Sequence, residues 1–150
     1  MNERERFIDI ITHFGRKFGL NTGLTQIYAL LYWEEKPLSL DEISEALKMS
    51  KGNVSLNIRK LEDWGAVKRI WKRGSSRHYY QANLNFKEFL PSRIKEVLEK
   101  RLRILKGHLG EFKTQLGKGE KKEKIEEIEK AIERAENIIK WMEEGVKSLF

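Results

Sequence analysis

Two serines eleven residues apart, Ser39 and Ser50, constrain this chain more than any other feature. Ser39 is followed three residues on by Glu42. That is a capping box, in which the hydroxyl accepts from the third helical N–H while the carboxylate reaches back. Ser50 is itself an N-cap, for a helix that reaches Trp64 and stops at Gly65. Only a short helix fits between the caps, and its inward residues are expected to be Leu40, Ile43, Ala46 and Leu47. Ala66 to Lys72 then alternates, Arg73-Gly74-Ser75-Ser76 forms a turn, and Arg77 to Ala82 returns as a strand. Helix, turn, helix and β-hairpin in that order within residues 39–82 is a winged helix-turn-helix plan.

The flanks are helical. Phe7, Ile8, Ile11, Phe14 and Phe18 recur at three- and four-residue steps and predict a helix from Glu3 to Phe18. Ile27, Leu30 and Leu31 mark a second helix from Leu24 to Glu35, closed by Pro37. Downstream, Ile94, Leu98, Leu105, Leu109, Phe112 and Leu116 keep near-heptad spacing. After Gly117-Lys118-Gly119, the residues Ile125, Ile128, Ile132, Ala135, Ile139, Met142, Val146 and Leu149 form a coiled-coil-like seam. A break this short makes the two long helices antiparallel neighbours. The expected fold is mainly α with a small β-hairpin wing. It comprises an N-terminal helix (1–20), a winged helix-turn-helix domain (21–85) and a C-terminal helical hairpin (86–150). A seam this regular can pack against Phe7, Ile11, Phe14 and Phe18 within the subunit or pair with the same hairpin of a second chain. Both are expected, giving a symmetric homodimer with Phe7, Ile11, Phe14, Ile128, Ile132, Ile139, Met142 and Val146 at the interface.

Charge says where a polyanion would dock. The chain carries a net charge of +7, and all of the excess lies between Lys48 and Tyr80, which hold nine Lys/Arg against two Asp/Glu. The remainder holds 21 of each sign. On a helical wheel, Val54, Ile58 and Leu61 share the core side of the Ser50–Trp64 helix, with Asn57 on their margin. The opposite arc collects Gly52, Asn53, Ser55, Leu56, Arg59 and Lys60, flanked by Ser50 and Lys51 at the helix start. Amides and guanidinium groups suit base edges, hydroxyls suit phosphate, and an exposed leucine suits a thymine methyl. Lys72, Arg73 and Arg77, with Ser75 and Ser76, make a basic hairpin tip able to follow a sugar–phosphate edge. The partner expected is double-stranded DNA.

Catalysis finds no foothold. The chain has no cysteine, which removes disulfides, thiolate metal sites and cysteine nucleophiles. His13, His78 and His108 are scattered without metal-ligand spacing, and the glycine-rich phosphate loops are missing. The expectations are no enzyme activity, no cofactor and no metal. No apolar run is long enough for a membrane span, and the charged N-terminus points to the cytoplasm. Tyr28, Tyr32, Trp33, Trp64 and Trp141 supply aromatics for a small-molecule effector site, which could hold a quaternary ammonium by cation–π attraction.

Four segments resemble the GbsR-type branch of the MarR-like transcriptional regulators: Pro37 through Ile43, Ser50-Lys51-Gly52-Asn53-Val54-Ser55, Leu61 through Val67, and Tyr79-Tyr80-Gln81-Ala82. The resemblance spans roughly Gly23 to Asn83. It implies a homodimer joined by the outer helices, with two winged helices on a pseudo-palindromic operator, acting as a repressor. Some members respond to osmolyte-related molecules such as choline, although no ligand position carries over residue by residue. The wing departs from the family pattern in spacing its basic residues around two serines. The competing readings are a winged helix used for protein or RNA contact, and a non-specific architectural DNA binder.

Overall fold

The computed structural model describes residues 1–149, with side chains through Gly145. Contacts divide the chain into two compact units, Met1–Leu90 and Pro91–Phe150. The first unit contains α1 (Glu3–Lys17), α2 (Thr22–Glu34), β1 (Leu38–Ser39), α3 (Leu40–Leu47), α4 (Lys51–Asp63), β2 (Val67–Ile70) and β3 (Tyr79–Ala82), followed by a 3-10 turn at Phe86–Glu88. The second is built from α5 (Leu90–Thr114) and α6 (Glu120–Leu149).

Helix α2 is the centre of the first unit. It buries Leu24, Thr25, Ile27, Ala29, Leu30 and Leu31 and packs against α1, α3, α4 and β3. A helix apolar on so many sides must be surrounded. Ile43 of α3 and Val54, Ile58 and Leu61 of α4 complete the core, each at 1% exposure or less. Ile8, Thr12 and Gly15 are the buried residues of α1. A Cβ at Gly15 would stand 2.9 Å from Thr25 Cγ2, so glycine permits the close approach of α1 to α2.

The caps read from the sequence are present. Ser39 Oγ accepts from Glu42 N at 3.2 Å and Glu42 Oε2 accepts from Ser39 N at 2.7 Å. Ser50 Oγ accepts from Asn53 N at 3.2 Å. At the far end of α4, Gly65 adopts φ 74°. Gly65 N donates to Glu62 O and Ala66 N to Leu61 O, both at 2.9 Å. This paired closure needs a left-handed residue, which glycine adopts without strain.

Three expectations change. Ala46 is exposed rather than inward, because the short α3 buries only Ile43 and leaves Leu40 and Leu47 partly covered. The hairpin ladder ends at the Ile70–Tyr79 pair, so residues 71–78 form a wider wing tip than the alternation suggested. Beyond the exposed Trp71 and its neighbour His78, the small and charged residues 72–77 offer no apolar cross-strand pairs to extend it. The sheet also has a third strand: β1 pairs antiparallel with β3 through Leu38–Tyr80 and Ser39–Tyr79, giving the order β1-β3-β2.

In the second unit α5 and α6 run antiparallel, cross-linked by ion pairs of Lys113 with Glu129 (2.8 Å), Lys106 with Glu136 (3.5 Å) and Lys95 with Glu143. Ile132 is buried at 5%. Leu105, Phe112, Ile128 and Met142 remain 46–54% exposed.

Candidate nucleic-acid interface

The two faces of α4 separate as its periodicity requires. Val54, Ile58 and Leu61 point to the core, while Lys51, Gly52, Asn53, Leu56, Arg59 and Lys60 are exposed and Ser55 is half-buried. Leu56 is 53% exposed in this polar arc. Among the described residues neither Arg59 nor Lys60 has an ion-pair partner, which leaves two cations free on the outer face. Gly52, in the first turn, has open space where a Cβ would stand.

The wing stands beside this face. Gly74 turns at φ 79°, Ser75 N donates to Lys72 O at 3.2 Å, and Arg77 N donates to Ser75 Oγ at 3.1 Å. The Lys72 ammonium lies 4.0 Å over the Tyr79 ring. Arg73 and Ser76 are exposed at the tip. Tyr80 is buried at 4%, so one tyrosine of the pair is core and the other lines the surface.

One residue ties helix to wing, and no sequence pattern points to it. Asp41, in the first turn of α3, pairs with Lys51 through Oδ1 at 2.8 Å and with Arg77 through Oδ2 at 4.0 Å. The start of α4 and the base of the wing therefore meet at one carboxylate. The hydrogen bond from Lys51, then its charge and that of Arg77, hold the Asp41 carboxyl below its ordinary value of 3.8. The pairing is intact at neutral pH and is lost only as pH falls through that lowered value. Asp41 and Lys51 lie on different helices, and no periodicity links them. A shallow cleft of about 280 Å³ beside this cluster is lined by Ser39, Leu40, Asp41, Arg77, His78 and Tyr80. Trp71 is also unforeseen: it is 74% exposed at the end of β2, 5.5 Å from the His78 ring.

The candidate effector aromatics fall in different places. Tyr28 and Tyr32 lie 6.1 Å apart, ring to ring, in a cluster with Phe86 and Phe89. Burial pushes the Tyr28 hydroxyl up, so it stays protonated and donates to Asn83 O at 2.8 Å. Trp33 lies 5.3 Å from Phe7 and is 41% exposed, Trp64 packs against the core, and Trp141 lies on α6 at 72% exposure. Of the interface candidates, Phe7 and Ile11 are partly buried against the first unit's core. Phe14 is 59% exposed and Ile139 half-buried. Val146 lies outside the residues whose side chains are described.

Among the described residues no cluster of three or more His, Asp or Glu could hold a metal ion. No helix among them is long and apolar enough to cross a membrane.

The chain is similar to known transcriptional regulators. Residues 16–84 match the family described as sugar-specific transcriptional regulator TrmB. The HTH-type transcriptional repressor GbsR of Bacillus subtilis is 27% identical over 83% of this chain and 68% of its own length. The HTH-type transcriptional repressor OpcR of the same organism is 26% identical over 55% of this chain and 44% of its own length. The chain thus spans about two thirds of the first relative and less than half of the second. A crystal structure of a transcriptional regulator superposes with a TM-score of 0.63 at 17% identity, covering 99% of this chain and 98% of that one. That last likeness is one of fold.

Proposed function

We propose that this chain, a GbsR-type MarR-like winged-helix regulator, binds duplex DNA as a symmetric homodimer and represses transcription from a pseudo-palindromic operator. The observation that carries the reading is the outer face of α4, where free Arg59 and Lys60 flank an exposed Leu56 on a helix whose other side is fully buried. Such a helix can enter the major groove, with guanidinium and amide groups at base edges and Leu56 against a thymine methyl. The N-terminal turn and the wing, joined through Asp41, supply Lys51, Lys72, Arg73 and Arg77 for phosphates on either side.

The dimer rests on the second unit. Leu105, Phe112, Ile128 and Met142 leave an apolar surface on the α5–α6 hairpin, and burying it against a second copy removes that surface from water. A two-fold axis presents two α4 helices about one DNA turn apart, roughly 34 Å. The mechanism is occupancy: the bound dimer covers its operator, and the chain needs no chemistry of its own.

The test is selection of bound sequences from a random duplex pool at about 150 mM salt, near physiological ionic strength. The expected result is an enriched motif with two related half-sites about one helical turn apart. Weak, salt-sensitive binding without enrichment contradicts sequence-specific repression. Preference for RNA over duplex DNA contradicts the proposed partner.

A further inference from the structure

One polar residue of α4 does not face outward. Asn57 is 2% exposed, on the core side with Val54, Ile58 and Leu61, where an amide must find partners. It finds them one turn back. Asn57 Nδ2 donates to the Asn53 carbonyl O at 3.0 Å and to Asn53 Oδ1 at 2.7 Å. The first bond fixes the polarity of the second. A backbone carbonyl only accepts, so the Asn57 atom is the NH2 group, and the Asn53 atom receiving from that group is the oxygen. Asn53 itself is exposed on the outer arc. With Oδ1 turned back to Asn57, the NH2 group is what Asn53 offers to the groove.

We propose that Asn57 is a positioning residue that sets the base preference of α4 by locking Asn53 as a donor toward the major groove. Guanine presents two acceptors there, N7 and O6, whereas cytosine presents an N4 amino donor. Adenine and thymine offer one acceptor each there, beside an amino donor or a methyl group. Guanine, with two acceptors and no donor, is therefore the base best matched to Asn53, and cytosine is rejected.

A glycine on a neighbouring helix leaves room for the lock. A Cβ on Gly23, near the start of α2, would lie 3.0 Å from Asn57 Nδ2, 3.3 Å from Asn21 Oδ1 and 3.6 Å from Asn53 Oδ1. Asn21 Oδ1 is already engaged as the α2 cap, accepting from Leu24 N at 3.1 Å. Any side chain at Gly23 presses on the amide that orients Asn53. A residue of α2 thus takes part in base choice without touching DNA.

This inference rests on α4 being the reading helix, and the experiment separates the two. The full chain and its Asn53→Ala, Asn57→Leu and Gly23→Ala variants are each passed through duplex selection, with thermal melting to establish that each folds. Asn53→Ala should lose preference at one position per half-site, which identifies the base that Asn53 reads. That base should be guanine in the wild-type motif. Asn57→Leu should cut the preference for guanine over cytosine at this position roughly tenfold. The other positions and the salt dependence should stay unchanged, which a merely structural role for Asn57 would not produce. Gly23→Ala should act in the same direction and serves if Asn57→Leu does not fold. A wild type without a motif overturns the reading helix, and this inference with it. A wild-type motif that keeps its guanine in folded Asn57→Leu, or in folded Gly23→Ala where the leucine variant fails to fold, overturns the inference alone. So does cytosine at that position, or a motif unchanged by Asn53→Ala.

Discussion

Leu56 and Ile58 stand two residues apart on α4 and do opposite work, one 53% exposed and the other 1%. Ile58→Ala opens a cavity in the core and should cost about 2–5 kcal/mol, read from denaturant unfolding. Leu56→Ala should change stability by less than about 0.5 kcal/mol. In duplex selection it should abolish any preference for thymine at one position of each half-site. This division was legible in the sequence because a period of 3.6 residues assigns every residue of α4 to a face. Asp41 was not legible, since its pairing with Lys51 and Arg77 exists only once α3, α4 and the wing are packed. In the proposed complex it would compete with phosphate for both cations. Asp41→Asn should therefore raise affinity for any duplex, about two- to fivefold at low salt, without changing the selected motif. A loss of affinity in a titration at low salt would contradict this role. The Asn57–Asn53 bond lay between these cases: the spacing of four residues allows it, but nothing in the sequence says that the amide turns inward.

The elements were legible where local chemistry decides them. The caps at Ser39 and Ser50 and the stop at Gly65 all stand where side-chain chemistry places them. Ser39→Ala removes one half of a reciprocal pair and should cost about 1 kcal/mol, measured as a lowered unfolding midpoint. Strand β1 was missed for a physical reason. Two residues cannot show alternation, and Leu38–Ser39 becomes a strand only because β3 offers an edge to pair with. The wing tip was drawn too narrow for a related reason, since alternation continues in sequence beyond the last residue pair that packing rewards. Helix α1 shows the same limit. Its apolar stripe was correct as a helix signal, yet Phe14 lies on the exposed side, and the approach to α2 is made by Thr12 and Gly15 with Ile8. Gly15→Val should cost about 1–3 kcal/mol by overpacking against Thr25.

For the whole molecule, the strongest demand is a partner for the apolar surface that the α5–α6 hairpin leaves open. Phe112→Glu combined with Ile128→Glu places charges on two residues now 48% and 46% exposed. The pair should shift sedimentation from dimer to monomer while the thermal melt stays cooperative. An unchanged sedimentation coefficient would put the dimer contact elsewhere. In the proposed function dimerisation matters because one α4 would read only a half-site, and two held by a two-fold axis would multiply their preference. The most direct test is the affinity of wild type and Arg59→Ala for the selected duplex and for a scrambled duplex of equal length, across a range of salt. Arg59→Ala should lose about 1–3 kcal/mol on the selected duplex and little on the scrambled one. Equal losses on both, or none on either, would contradict the assignment of α4 as the helix that reads DNA.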